Sequence, residues 1–213
     1  MNKTIIIILL RIGLLAPQLC LSQGTLYLSN VGESSAGSVA VGSNSWIAEG
    51  FFTGTNSGGY SLNSIQLLMA PASGSGGPSG FSVSVFAGSR LPESIISNFT
   101  GLDPAAGGLF TYATTGIPLL PSTAYWIAVT AATPVADAAY HWNISNTANY
   151  SSIDSWALIN NYYAISANGS NWTHRNSNPL QLAVNVTAVP EPSTWALLGL
   201  GVAGLRLLWR RGI

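Results

Sequence analysis

Short runs that alternate apolar and polar residues fill the middle of the chain, and none holds a helical period over three turns. Thr25–Ser29 opens this region, and Ser38–Val41 and Ser45–Phe52 follow on either side of Gly42-Ser43-Asn44. In Tyr60–Leu67, Tyr60, Leu62 and Ser64 share one side while Ile65 and Leu67 take the other. That switch predicts a bulge near Ser64 or two short strands. The Gly-, Ser- and Pro-rich stretch 71–80 reads as a loop. Phe81–Phe86 alternates again, with Phe81, Val83 and Val85 facing inward. Further strands are predicted over 109–111, 124–131, 140–144 and 180–186, the last with Leu180, Leu182, Val184 and Val186 on one face. Trp156–Ile159 and Tyr162–Ile165 flank Asn160-Asn161, which reads as a tight hairpin turn. Roughly ten short strands separated by Gly, Asn and Ser predict an all-β fold, a single antiparallel β-sandwich with a jelly roll as the favoured variant. No fixed-period repeat points to a propeller or solenoid.

The two ends break this pattern. At the start, Lys3 precedes an Ile- and Leu-rich run interrupted by Arg11, and Cys20 and Ser22 place small residues at −3 and −1 of a cut after Ser22. Residues 1–22 therefore read as a signal peptide, removed by signal peptidase. At the other end, residues 188–213 hold Pro190-Glu191-Pro192, then an apolar helix led by Trp195 and carrying Leu197, Leu198, Leu200 and Leu205, then Arg206, Arg210 and Arg211. Pro190 has its own φ fixed by its ring, and Pro192 pushes Glu191 toward an extended conformation, so Glu191 sits on a stiff strip. A helix from Trp195 to Trp209 covers roughly 22 Å against about 30 Å of hydrocarbon, a short span that Arg206 extends by snorkelling. The terminal arginines favour the cytoplasmic side and put the bulk of the protein outside. Residues 23–187 are then one exported domain, long enough for a real core.

Charge sharpens the picture of that domain. The chain has no formal net charge, and only 7% of its residues are charged. Between residues 23 and 188 the cations are Arg90 and Arg175, against Glu33, Glu49, Glu93, Asp103, Asp137 and Asp154. With so few basic groups to displace counterions, nucleic-acid binding is excluded. The one cysteine, Cys20, leaves with the signal peptide, so the exported part forms no disulfide and offers no thiol.

Candidate chemistry is sparse. His141 and His174 stand apart, the acids are scattered, and no residue is assigned to a metal or cofactor. Glu33, Glu49, Asp103 and Asp154 sit in no catalytic motif, and no Gly-x-Ser-x-Gly or phosphate-cradling loop occurs. The Asn-x-Ser/Thr triplets are what a chain rich in those residues produces by chance. Aromatics are the remaining signal, since indole and phenol faces stack on sugars while Asn and Ser bind hydroxyls. Most are expected in the core. Trp172, on the polar run 168–178, is expected to be the exposed ring, with Trp156 and Tyr162 as companion stacking candidates.

Taken together, Pro190-Glu191-Pro192, the run from Trp195 and the closing Arg206, Arg210 and Arg211 resemble the PEP-CTERM sorting signal of Gram-negative bacteria. The resemblance implies delivery of a secreted protein to a membrane-embedded exosortase, transient anchoring in the inner membrane, and release to the exterior or cell surface. Residues 25–187 resemble the choice-of-anchor domains found before such tails, the R-type most closely. That likeness is carried by Phe51-Phe52-Thr53-Gly54, Gly59-Tyr60-Ser61-Leu62, Phe81–Phe86, Leu120–Val129 and Tyr140-His141-Trp142-Asn143. It implies no known catalysis. The expected protein is a non-catalytic surface or matrix component associated with extracellular polysaccharide. A carbohydrate-binding module, or a hydrolase with an unrecognised carboxylate pair, is the competing expectation.

Overall fold

The computed structural model of the protein describes residues 24–159, 162–191 and 197–200. Its strands, in chain order, are β1 (Thr25–Ser29), β2 (Ser35–Val41), β3 (Trp46–Phe52), β4 (Tyr60–Ser73), β5 (Ser82–Ala87), β6 (Ser94–Asn98), β7 (Thr100–Gly101) and β8 (Gly108–Leu119). They continue as β9 (Ala124–Thr130), β10 (Ala139–Ser145), β11 (Ser151–Ser152), β12 (Ala157–Leu158), β13 (Tyr162–Ser166), β14 (Trp172–Asn176) and β15 (Leu182–Ala188). These form two antiparallel sheets packed as a sandwich, the architecture that the alternating runs predict. The first sheet runs β11-β1-β15-β4-β10-β2, with β8 also on β4 and β7 on β8. The second runs β14-β13-β3-β9-β5-β6, with β12 also on β3.

The long strand β4 organises the first sheet. Its residues from Tyr60 to Met69 pair with β8 along one edge, while the other edge pairs first with β15 and then with β10. The face switch in its sequence is a bulge: Val186 opposes Leu62 and Asn185 opposes Ser64, which leaves Asn63 extra. One strand therefore turns both Leu62 and Ile65 into the same core instead of breaking in two.

Between the sheets, alternation works as read. Leu180, Leu182, Val184 and Val186 meet Val83, Val85, Ile127 and Val129 in one buried cluster, with Tyr140 and Trp142 of β10 among them. Each fully buried aliphatic side chain contributes about 1.5–3 kcal/mol by leaving water, which offsets the absence of any disulfide.

The second sheet is covered on its outer face as well. Ala124, Trp126 and Ala128, on the side of β9 away from the main core, pack with Phe86, Ala164 and Trp172 in a second cluster. Contact between Trp172 of the edge strand β14 and Phe86 of β5 shows that the β13–β14 hairpin arcs over that face.

The expected hairpin between 156–159 and 162–165 does not form, and its turn, Asn160-Asn161, lies outside the described residues. Strands β12 and β13 both run antiparallel to β3, Leu158 opposite Phe51 and Ala164 opposite Ala48. The two strands thus run in the same direction, six steps apart from Leu158 to Ala164 against three from Phe51 to Ala48. Ile159 packs beside Gly50, where an added Cβ would lie 2.5 Å from its Cδ1.

Candidate functional site

Strand β15 ends at Ala188, opposite Tyr60. One residue further on, Val189 is still held: its N–H donates to the Gly59 carbonyl at 3.0 Å. Its own carbonyl accepts from Asn56 Nδ2 at 2.9 Å, and the same amide donates to the Gly59 carbonyl at 2.6 Å. The Asn56–Gly59 turn that makes this clasp needs both of its glycines. Gly59 has φ +75°, and a Cβ on Gly58 would stand 2.3 Å from the Val189 oxygen. The sequence shows a turn here but carries no signal that it grips residue 189.

Beyond the clasp the body lets go of the chain. Pro190 and Glu191 are exposed, so the acidic residue of the motif is not enclosed in the fold. Residues 197–200 are helical, and Leu197, Leu198 and Leu200 are exposed. Among the described residues no helix is long and apolar enough to cross a membrane. Residues 1–22, Pro192, Trp195, Leu205, Arg206, Arg210 and Arg211 lie outside the described set.

A polar cluster buttresses the clasp from inside. The Tyr60 hydroxyl donates to Asp154 Oδ2 and accepts the Asn56 N–H at 3.1 Å. Burial, then the hydrogen bond to Asp154, raises the Tyr60 pKa and keeps the phenol a donor. Asp154 and its neighbour Ser155 have φ of 52° and 61°, unusual for side-chain-bearing residues. Gly54 is pressed against them, and a Cβ there would fall 1.9 Å from the Asp154 carbonyl oxygen.

The aromatic candidates require correction. Trp172 is only 8% exposed: its ring meets Phe86 edge-on and its indole N–H donates to the Gly169 carbonyl at 3.1 Å. The polar run around it serves the turn instead, with Asn168 Oδ1 accepting the N–H groups of Ser170 and Asn171. Trp156 is buried in the main core, stacked on Phe51 at 5.5 Å and edge-on to Tyr60 at 5.0 Å. Tyr162 is half-buried, stacked on Trp126 and against the His174 ring at 4.1 Å. These three rings do not form an exposed row. What the surface does offer is an open cleft of about 490 Å³ between Ser89–Glu93 and Ser170–Trp172, with Arg90, Glu93 and Asn171 on its walls.

The carboxylates named in the sequence are each tied to a different structural partner. Glu33 accepts from the Thr147 hydroxyl at 2.7 Å, and Asp103 from the Tyr140 hydroxyl at 2.6 Å. Glu49 is fully buried on the inner face of β3. It accepts the Leu180 N–H at 2.7 Å and the Gly50 N–H at 3.2 Å. Burial pushes its pKa well above the ordinary carboxylate value, and those two N–H groups pull it partly back. Glu49 therefore spans the two sheets, supplying an acceptor to Leu180 at the start of the β15 segment. Among the described residues no group of three or more His, Cys, Asp or Glu side chains is arranged to hold a metal ion.

The β-sandwich thus grips its last strand and leaves the Pro190-Glu191 strip beyond it exposed. Residues 188–211 match the PEP-CTERM protein-sorting motif, so the chain carries that motif. The motif implies an exported protein processed by an exosortase. No curated protein and no solved structure gives a match to the chain.

Proposed function

We propose that this chain is a non-catalytic exported protein of a Gram-negative bacterium, anchored briefly in the inner membrane and released to the cell surface or extracellular matrix. Its sandwich acts there as a structural or adhesive component associated with extracellular polysaccharide, in the manner of the choice-of-anchor domains it resembles. The observation that carries this reading is the exposure of Pro190 and Glu191 directly after the clasped Val189. A processing enzyme meets the strip without unfolding the domain. The scattered, individually bonded carboxylates favour a structural role over hydrolysis, which needs two acids facing across a cleft.

The test compares wild type with Glu191→Ala in cells that carry the sorting enzyme. The secreted form should be lost and a membrane-bound precursor should accumulate in the variant. Equal release of both proteins would refute the sorting role. For the matrix role, the secreted protein should be retained on polysaccharide isolated from the same cells.

A carbohydrate-binding reading is favoured by the cleft beside Trp172, where Arg90, Glu93 and Asn171 converge as hydrogen-bonding groups. In this version recognition is mainly polar, because the Trp172 ring is largely covered. Asn171→Ala would then reduce polysaccharide retention without changing export.

A further inference from the structure

The sorting reading puts the C-terminal tail in a bilayer for part of the protein's life, and the inference drawn here rests on that reading. β1 begins at Thr25 opposite Val186, near the end of β15, so the chain enters the sandwich close to where Val189 leaves it. Strand register brings other loops to the same pole. β3 ends at Phe52 opposite Ala124, and β8 ends at Leu119 opposite Tyr60. The Leu120–Thr123 turn is tied there by the Thr53 hydroxyl, 2.6 Å from the Leu120 carbonyl, and by the Ser122 N–H to the Gly54 carbonyl at 2.8 Å. Ile153 joins through its N–H to Tyr27, next to the Asp154 that packs on Gly54.

This pole carries five of the nine large apolar side chains left exposed on the described sandwich, Leu26, Phe52, Leu120, Ile153 and Val189, with Leu120 exposed by 67%. The tether to the apolar tail is short. Only residues 190–194 separate the clasped Val189 from Trp195. Even fully extended, that stretch reaches about 20 Å. The pole therefore stays next to the headgroups for as long as the tail is inserted, and apolar side chains held there gain by entering the interface.

We propose that the pole bearing both chain ends is a membrane-resting surface, with Leu120 at its tip, occupied by the bilayer while the tail is anchored. Leaving the membrane would then require both cleavage of the tail and lifting of this pole.

The test uses the full chain with Cys20→Ser, so that an introduced cysteine is the sole labelling site. Leu120→Cys carries a bimane fluorophore in one preparation, and Ser75→Cys, in the exposed loop at the opposite end of β4, carries it in another. Both are reconstituted in phosphatidylethanolamine–phosphatidylglycerol vesicles, with and without nitroxide-bearing lipid. Bimane at position 120 should shift to the blue and lose intensity to the nitroxide, while bimane at 75 should do neither. Weak and equal quenching at the two positions would overturn the proposal. So would a label at 120 that is shielded from aqueous iodide yet blind to the nitroxide, because a second copy of the chain would then be covering the pole. Failure of the sorting reading looks different: lipid quenching at 120 together with an uncleaved tail in enzyme-bearing cells would sink processing and leave the membrane contact standing.

Discussion

Glu49→Gln should abolish a specific fall of stability with pH. The carboxyl lies on the inner face of β3 between Ile47 and Phe51 and is wholly buried, so the folded chain holds its proton well above the ordinary carboxylate range. In the unfolded chain the same group titrates at about 4.3. Between those two values the folded state binds one proton more than the unfolded state. Stability from this group is thus complete below the unfolded pKa and is lost as pH rises through the folded one, by about 1.4 kcal/mol per unit. Glutamine keeps an oxygen for the Leu180 N–H and cannot ionise. Urea unfolding of the secreted protein and its variant, from about pH 4 to about pH 8, gives the difference in unfolding free energy. Every other titrating group is common to both and cancels. The variant should gain on wild type as pH rises. Parallel profiles, or a difference that shrinks with pH, would refute the reasoning. Glu49→Leu is a control in the other direction, since it strands the Leu180 N–H at a cost of about 1–3 kcal/mol at any pH.

Three further outcomes follow from particular contacts. Asn56→Ala removes the amide that holds the Val189 carbonyl, and hydrogen exchange at the Val189 N–H should quicken while exchange in β9 stays unchanged; unaltered exchange at Val189 would mean the clasp does not hold the exit. Gly54→Ala should destabilise by several kcal/mol and more than Gly50→Ala in thermal melts, because its Cβ meets backbone at 1.9 Å whereas that of Gly50 meets the movable end of Ile159; the reverse order would contradict the packing at the Asp154 loop. Trp172→Ala should lower stability by about 3–5 kcal/mol, as loss of a buried ring does, and a variant as stable as wild type would show the ring to be surface-bound after all.

Where physics is local, the sequence was a good guide. The alternation over 180–186 put four aliphatics on one inner face, and the phase change in Tyr60–Leu67 marked a real bulge at Asn63. The sorting motif was also legible, because its order along the chain is itself the signal. Long-range packing was not. Nothing near Trp172 reveals that β14 arcs over the second sheet to reach Phe86, and the polar run 168–178 by itself points to an exposed ring. Strand partnership is equally long-range: β12 and β13 both pair with β3 rather than with each other, which turn chemistry between them does not announce. Glu49 sits in strand phase with Ile47 and Phe51, yet its inward acid is intelligible only once the Leu180 N–H is seen waiting for an acceptor. The clasp of Val189 joins residues 133 positions apart and leaves no trace in either segment alone.

The central claim is that the sandwich is cargo between two removable ends. Intact mass spectrometry of the protein recovered from the medium of its own cells tests this directly, because one number reports both termini. The account predicts a species lacking roughly the first 22 and the last 20 residues, cut within or just beyond Pro190-Glu191-Pro192. A released protein that still carries the tryptophan-led tail and its arginines would contradict it.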